Sequence, residues 1–153
     1  MRNNKKLLID QLDNKLKLFK KAETILVPSK GWVNAIRTTL NMTMAQLGKR
    51  LNITRQGVKS IEDSEVKGTI SVNSLKEVGR VLDLKFVYGF IPVDGSINNL
   101  INRKANELAT KIVLRTHQNM QLEAQGVKDD KIKEIIEDLA SEIKREMKRS
   151  LWD

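Results

Sequence analysis

Cysteine is absent from the sequence, histidine occurs once and proline twice, and aromatic residues make up only 4% of the 153 positions. Without cysteine there is no disulfide framework, thiolate metal site or cysteine nucleophile, and the usage fits a reducing cytoplasm. His117 has no cysteine and no carboxylate four residues away on either side, so no metal centre is expected around it. No apolar run approaches the roughly 20 residues of a membrane span. The opening MRNNKKLLIDQL lacks the uninterrupted apolar core of a signal peptide, so a cytoplasmic chain with no membrane partner is expected. Phosphate-loop, nucleophile and dinucleotide signatures are missing as well, which points away from an enzyme and from a bound cofactor.

What the chain has in quantity is positive charge: 28 Lys and Arg against 19 Asp and Glu, a net +9. Such an excess suggests a polyanionic partner. Residues 1–28 carry 7 basic and 3 acidic groups, 29–70 carry 7 and 3, 71–127 carry 7 and 5, and 128–153 carry 7 and 8. The side facing an anion is therefore expected in the N-terminal half. The length leaves room for one ordinary domain, or a small one with helical extensions, and for a core that needs no metal or disulfide staple.

Apolar spacing organises the chain into a mainly α fold in three parts. Leu8, Leu12, Leu16, Phe19 and Leu26 recur at helical steps and predict an amphipathic helix over 4–26, closed before Pro28, within an N-terminal segment 1–28. A second segment, 29–92, breaks into four short helical pieces separated at Asn41, at Asn52-Ile53 and across 66–70. It ends in Leu84–Ile91, whose β-branched and aromatic residues predict one short strand before Pro92. The third segment, 93–153, reads as a helical hairpin: Ile97, Ile101, Ala105, Leu108, Ile112 and Met120 mark a long helix ending near Gly126. A second helix starts at Asp129 as N-cap and carries Ile132, Ile135, Ile136, Leu139, Ile143 and Met147.

The stretch TMAQLGKRLNITRQGVKSIEDSE, Thr43 to Glu65, holds the most specific signal. Thr43 followed by Gln46 reads as a capping box, with Ala45, Leu47 and Leu51 facing inward. Asn52 suits a tight exit, and Thr54 caps the next helix, which turns Val58 and Ile61 inward and Arg55, Gln56, Lys59 and Ser60 outward. Two short helices joined by three residues are the arrangement of a helix-turn-helix, whose second helix enters the DNA major groove N-terminus first. Arg forks onto guanine, Gln pairs with adenine and Ser bonds either, so Thr54, Arg55, Gln56, Lys59 and Ser60 are the candidate base readers. Thr43, Lys49, Arg50 and Lys67 are candidate phosphate contacts.

Residues 32–91, with Ala45-Gln46-Leu47-Gly48, Ile53-Thr54-Arg55-Gln56, Val58, Ile61-Glu62, Leu75 and Val81-Leu82, resemble the lambda-repressor-like domain of xenobiotic-response-element regulators. More narrowly, Gly31–Arg37, Glu62–Glu65, Gly68–Ile70 and the closing Leu151-Trp152-Asp153 resemble the mobile mystery protein A family, over nearly the whole chain. The resemblance implies a five-helix DNA-binding domain that dimerises on an inverted-repeat operator in double-stranded DNA. It implies a strand, Phe86, Val87, Tyr88, Phe90 and Ile91, paired with its copy across a two-fold axis in a homodimer, and a structural ion pair of Arg37 with Glu62. It also implies a neighbouring Fic-domain protein, to which this chain would be antitoxin and autorepressor. Two departures stand out. No Glu precedes Gly or Asn, as the Fic-inhibiting helix of many antitoxins requires, and Met44 stands where the regulators often place a phosphate-binding Gln.

Each of these assignments has a plainer rival. Arg55, Gln56 and Lys59 also fit a solvated helix face, and Lys49, Arg50, Lys67 and the cluster Arg2, Lys5, Lys6 also fit ordinary surface charge. Gly57 admits either a close DNA backbone or a close helix contact. The acidic group Asp129, Asp130, Glu134, Glu137 and Asp138 suits a helix start better than catalysis, and Trp32 and Trp152 read as packing anchors. Two functions follow: a DNA-binding repressor, or a protein-protein module that neutralises or scaffolds a toxin without reading DNA.

Overall fold

The computed structural model describes residues 2–122 and 128–153, with side chains from 4 to 118 and from 128 onward. It is mainly helical, with α1 (Arg2–Leu16), α2 (Gly31–Thr39), α3 (Met44–Leu51), α4 (Arg55–Lys67), α5 (Val72–Val81), α6 (Ile97–Leu122) and α7 (Asp129–Glu146). Two 3₁₀ segments, Lys17–Thr24 and Arg149–Trp152, complete the described elements. The chain divides into two compact units, Ala22–Gly89 and the pair Met1–Lys21 with Phe90–Asp153. Within the second of these units α1 packs on α6.

In the unit Ala22–Gly89, Val33 from α2, Leu47 from α3, Val58 from α4, Val78 from α5 and Leu82 make one buried core, walled by Ile36, Met42, Met44, Leu51, Ile61, Leu75 and Val81. Each of the four helices stops in the same way. Asn41, Asn52, Gly68 and Asp83 take left-handed backbone with φ of 53°, 56°, 74° and 57°. The following N–H of Met42, Ile53, Thr69 and Leu84 then bonds back to the carbonyl of Arg37, Gly48, Ser64 and Gly79, at 3.0, 2.9, 2.9 and 2.8 Å. This closure satisfies carbonyls that the helix end would leave unpaired and turns the chain sharply. Asn, Asp and Gly are the residues that adopt it at least cost.

The second unit is built on the α6–α7 hairpin. Ile101, Ala105 and Ala109 of α6 meet Ala140 of α7 and Leu151, with Ile9 of α1, Leu108, Ile136, Leu139 and Ile143 around them. Alanines at the contact let two helix backbones approach closely. Asp13 of α1 accepts hydrogen bonds from the Ile97 and Asn98 amides at 2.6 and 3.2 Å, so a carboxylate from another helix caps α6 at its positive end. Arg103 forks onto Asp94, both bonds at 3.0 Å, and fastens the preceding turn to α6. That guanidinium holds the Asp94 carboxyl below its ordinary range.

Several expectations need correcting. The helix anticipated over 4–26 is α-helical only to Leu16 and continues as 3₁₀; both forms return an apolar side every three to four residues, so apolar spacing does not separate them. No strand occurs among the described residues. Phe86, Val87, Tyr88, Phe90 and Ile91 form neither helix nor strand, because a strand is made by a ladder and this lone segment has no neighbour to bond. Lys128, rather than Asp129, occupies the cap position of α7 and makes no side-chain cap bond, while Asp129 and Asp130 lie in the first turn. The helix end expected near Gly126 lies outside the described residues. Trp32 and Trp152 are 42% and 54% exposed and are not buried anchors; Leu151 is the buried residue of the closing triplet. Residues 31–82 hold four helices, where the resemblance implies five in the domain.

Candidate nucleic-acid interface

The pair α3–α4 is set by its turn. Thr43 accepts the Gln46 amide at 3.1 Å while the Gln46 side chain accepts the Thr43 amide at 2.8 Å, a complete capping box. Thr54 accepts the Gly57 amide at 3.0 Å and caps α4. Between them Ile53 is gripped on two sides. A Cβ on Gly48 would stand 2.7 Å from the Ile53 carbonyl oxygen, so only glycine lets the chain fold back there. A Cβ on Gly57 would first meet the Ile53 side chain, at 3.2 Å, which places Gly57 in a close packing contact with the turn.

Behind this turn lies the pair implied by the resemblance. Arg37 of α2 and Glu62 of α4 are 8% and 5% exposed. The guanidinium donates from Nε to Oε1 at 2.6 Å and from Nη2 to Oε2 at 3.2 Å, and from Nη1 to the Met42 carbonyl at 2.9 Å. Asn34 donates a further bond to Glu62 at 3.0 Å. Burial raises the Glu62 carboxyl, but the bonds from Arg37 and Asn34 and the charges of Arg37 and Lys59 outweigh it and hold the group below its ordinary range. The pair ties α2 to the middle of α4 and leaves the leading turn of α4 outside.

On the cap and first two turns of α4, Thr54, Arg55, Gln56, Lys59 and Ser60 are all exposed, while Val58, on the opposite side, is fully buried. The five candidate readers therefore share one open face. Lys59 lies 3.5 Å from Asp63, an exposed pair one helical turn apart that holds its ammonium only weakly. Of the phosphate candidates, Lys49 and Arg50 line a hollow beside the bend at Leu40–Met42, and Thr43 caps the helix that carries them. Lys67 is in the last turn of α4 and, at 1.5 Å per residue, about 18 Å along the axis from Arg55. It does not line the hollow that Lys49 and Arg50 share.

Two roles in this unit were not legible in the sequence. Gln46 lines the hollow with Lys49 and Arg50; its carbonyl oxygen is used in the capping box, and its amide nitrogen has no hydrogen-bond partner among the described residues. The capping-box pattern hid this second capacity. Glu65 accepts the amides of Trp32 and Val33 at 3.0 and 3.2 Å and so caps α2, whose own cap residue, Lys30, has no side-chain bond to offer. Gly31, with φ of 84°, leaves the space that the Glu65 carboxylate fills. No local spacing announces a cap that comes from 32 residues away.

Among the described residues no group of His, Asp and Glu is arranged to hold a metal ion, and no helix is long and apolar enough to cross a membrane. Compared with protein-family models, curated proteins and solved structures, the chain finds no match.

Proposed function

We propose that the chain is a sequence-specific DNA-binding repressor that acts as a homodimer on an inverted-repeat operator. The observation that supports this best is the open face of α4: five polar or cationic side chains of base-reading type, on the cap and first two turns of a helix whose other side is locked by Arg37–Glu62. Lys49, Arg50, Thr43 and the Gln46 amide, on α3, serve the phosphate backbone in this reading. The exposed segment Val87, Tyr88 and Phe90 serves the partner subunit. Repression of its own promoter and pairing with a Fic-domain protein rest on the sequence resemblance.

Fluorescence anisotropy with DNA from the region upstream of its own gene, at several salt concentrations, tests the reading. Tight binding to one site, with a steep fall in affinity as salt rises, is the expected result. Arg55→Ala should lose about 1 to 3 kcal/mol of discrimination between sequences. The second reading, a protein-binding module, draws on the exposed Leu18, Leu26 and Val27, apolar groups beyond what DNA recognition needs. Flat salt dependence and equal affinity for unrelated duplexes would select it.

A further inference from the structure

The helical unit that contains the α6–α7 hairpin holds a cavity of about 370 Å³, bordered by α1, α6 and the end of α7. That is within the range of clefts that take small molecules. Its apolar part is made by Ile9, Ile101 and Met147, and its charged part by Lys5, Lys6, Lys144 and Arg145. One acid, Asp10, lines it, and among the described residues it pairs with none of the four. Lys6, Lys144 and Arg145 have no ion pair among the described residues, while Lys5 donates to the Glu146 carbonyl at 3.4 Å.

Four cations gathered round one apolar hollow repel one another unless an anion joins them. Lys144 and Arg145 suit the negative end of α7. Helix dipoles give no such reason for Lys5 and Lys6, which lie near the positive N-terminal end of α1, an end with no acidic residue in its first turn. We propose that this cavity binds a small organic anion, a carboxylate or phosphate monoester on a short aliphatic body. The head group is held by Lys6, Lys144 and Arg145, and the tail lies on Ile9, Ile101 and Met147. Asn98 and Ser141 at the same cavity supply neutral hydrogen bonds to the head group. The apolar part has no aromatic ring, so it offers a flat base nothing to stack on.

Isothermal titration of the full chain with octanoate, octyl phosphate, octanol and inorganic phosphate tests this. Saturable one-to-one binding of octanoate or octyl phosphate is expected, with octanol and inorganic phosphate binding at least about tenfold more weakly, since each lacks one half of the ligand. Which of the two octyl anions binds more tightly identifies the head group. The double variant Lys144→Gln/Arg145→Gln should weaken the octyl anions about tenfold or more while its far-ultraviolet circular dichroism without ligand stays as in the parent. If that variant does not fold, Lys6→Gln, at an exposed position, carries the same test. No saturable binding by either octyl anion, binding unchanged in the folded variants, or octanol or inorganic phosphate binding as tightly would overturn the proposal. DNA binding is not read in this experiment, so its outcome is separate from that of the repressor reading.

Discussion

Arg37 and Glu62 have no water to fall back on: each is nearly enclosed, and each satisfies the other in a forked contact with Asn34 and the Met42 carbonyl as additional partners. Arg37→Ala leaves a carboxylate buried without its counter-charge, at a cost of about 3 to 5 kcal/mol. Arg55→Ala removes an exposed side chain and should change stability by less than about 0.5 kcal/mol. Urea midpoints of the two variants check the contrast, and equal shifts would contradict it. Because the folded Glu62 carboxyl lies below its ordinary range, its stabilising contribution is full above that range and is lost as pH falls through the lower folded value. Glu62→Gln should therefore lie far below the parent in stability at neutral pH, and the gap should narrow in acid. Urea titrations at both pH values measure it. Gln46 offers a cleaner separation of roles. Gln46→Glu keeps an acceptor for the Thr43 amide and puts a negative charge at a helix start, so stability should hold within about 0.5 kcal/mol. Loss of the amide donor beside Lys49 and Arg50, with a charge that repels phosphate, should weaken binding to all DNA sequences alike.

The α3–turn–α4 pair was legible in the sequence because its signals are local. Thr43 with Gln46, Asn52 and Thr54 each act within four residues, and each does in the structure what its spacing predicts. The outward set of α4 was legible for the same reason, since Val58 and Ile61 fix which side faces in. Capping of α2 by Glu65 and of α6 by Asp13 was not, because those bonds join positions 32 and 84 residues apart. The segment Leu84–Ile91 misled in another way: alternating β-branched and aromatic residues describe what a ladder would accept, and they do not supply the partner strand. At the turn itself the two glycines should behave differently. Gly48→Ala drives a methyl into the Ile53 carbonyl, which is backbone and cannot yield cheaply, and should cost about 1 to 3 kcal/mol. Gly57→Ala meets a side chain that can rotate and gains about 1 kcal/mol of helix propensity, so its stability should stay within about 1 kcal/mol of the parent. Thermal melts decide between the two outcomes. DNA titration of Gly57→Ala then separates the remaining roles, since retained affinity leaves Gly57 as a packing residue only.

For the whole molecule, the repressor reading ties three surfaces together: the open face of α4, the cationic hollow of α3 and the exposed apolar segment after α5. Val87, Tyr88 and Phe90 are 64%, 61% and 81% exposed, with Tyr88 stacked near Phe86 and approached by Lys76. An unpaired, apolar stretch of backbone is a template for another chain, and in the repressor reading a two-fold copy of itself supplies the partner strand. Val87→Glu/Phe90→Glu places like charges across that axis and should give a monomer in sedimentation equilibrium. Since both residues are exposed, it should melt close to the folded monomer, with α2 to α5 intact. Two linked half-sites add avidity without new contacts, so the same variant should lose about 100-fold or more in operator affinity while keeping its preference for a single half-site. Half-sites must face one side of the duplex to meet both copies of α4. Inserting about 5 base pairs between them, half a helical turn, should abolish dimeric binding, and inserting about 10 should restore part of it. A variant that stays dimeric, or an operator indifferent to the 5-base-pair insertion, would place the dimer contact elsewhere and leave the segment after α5 without this role.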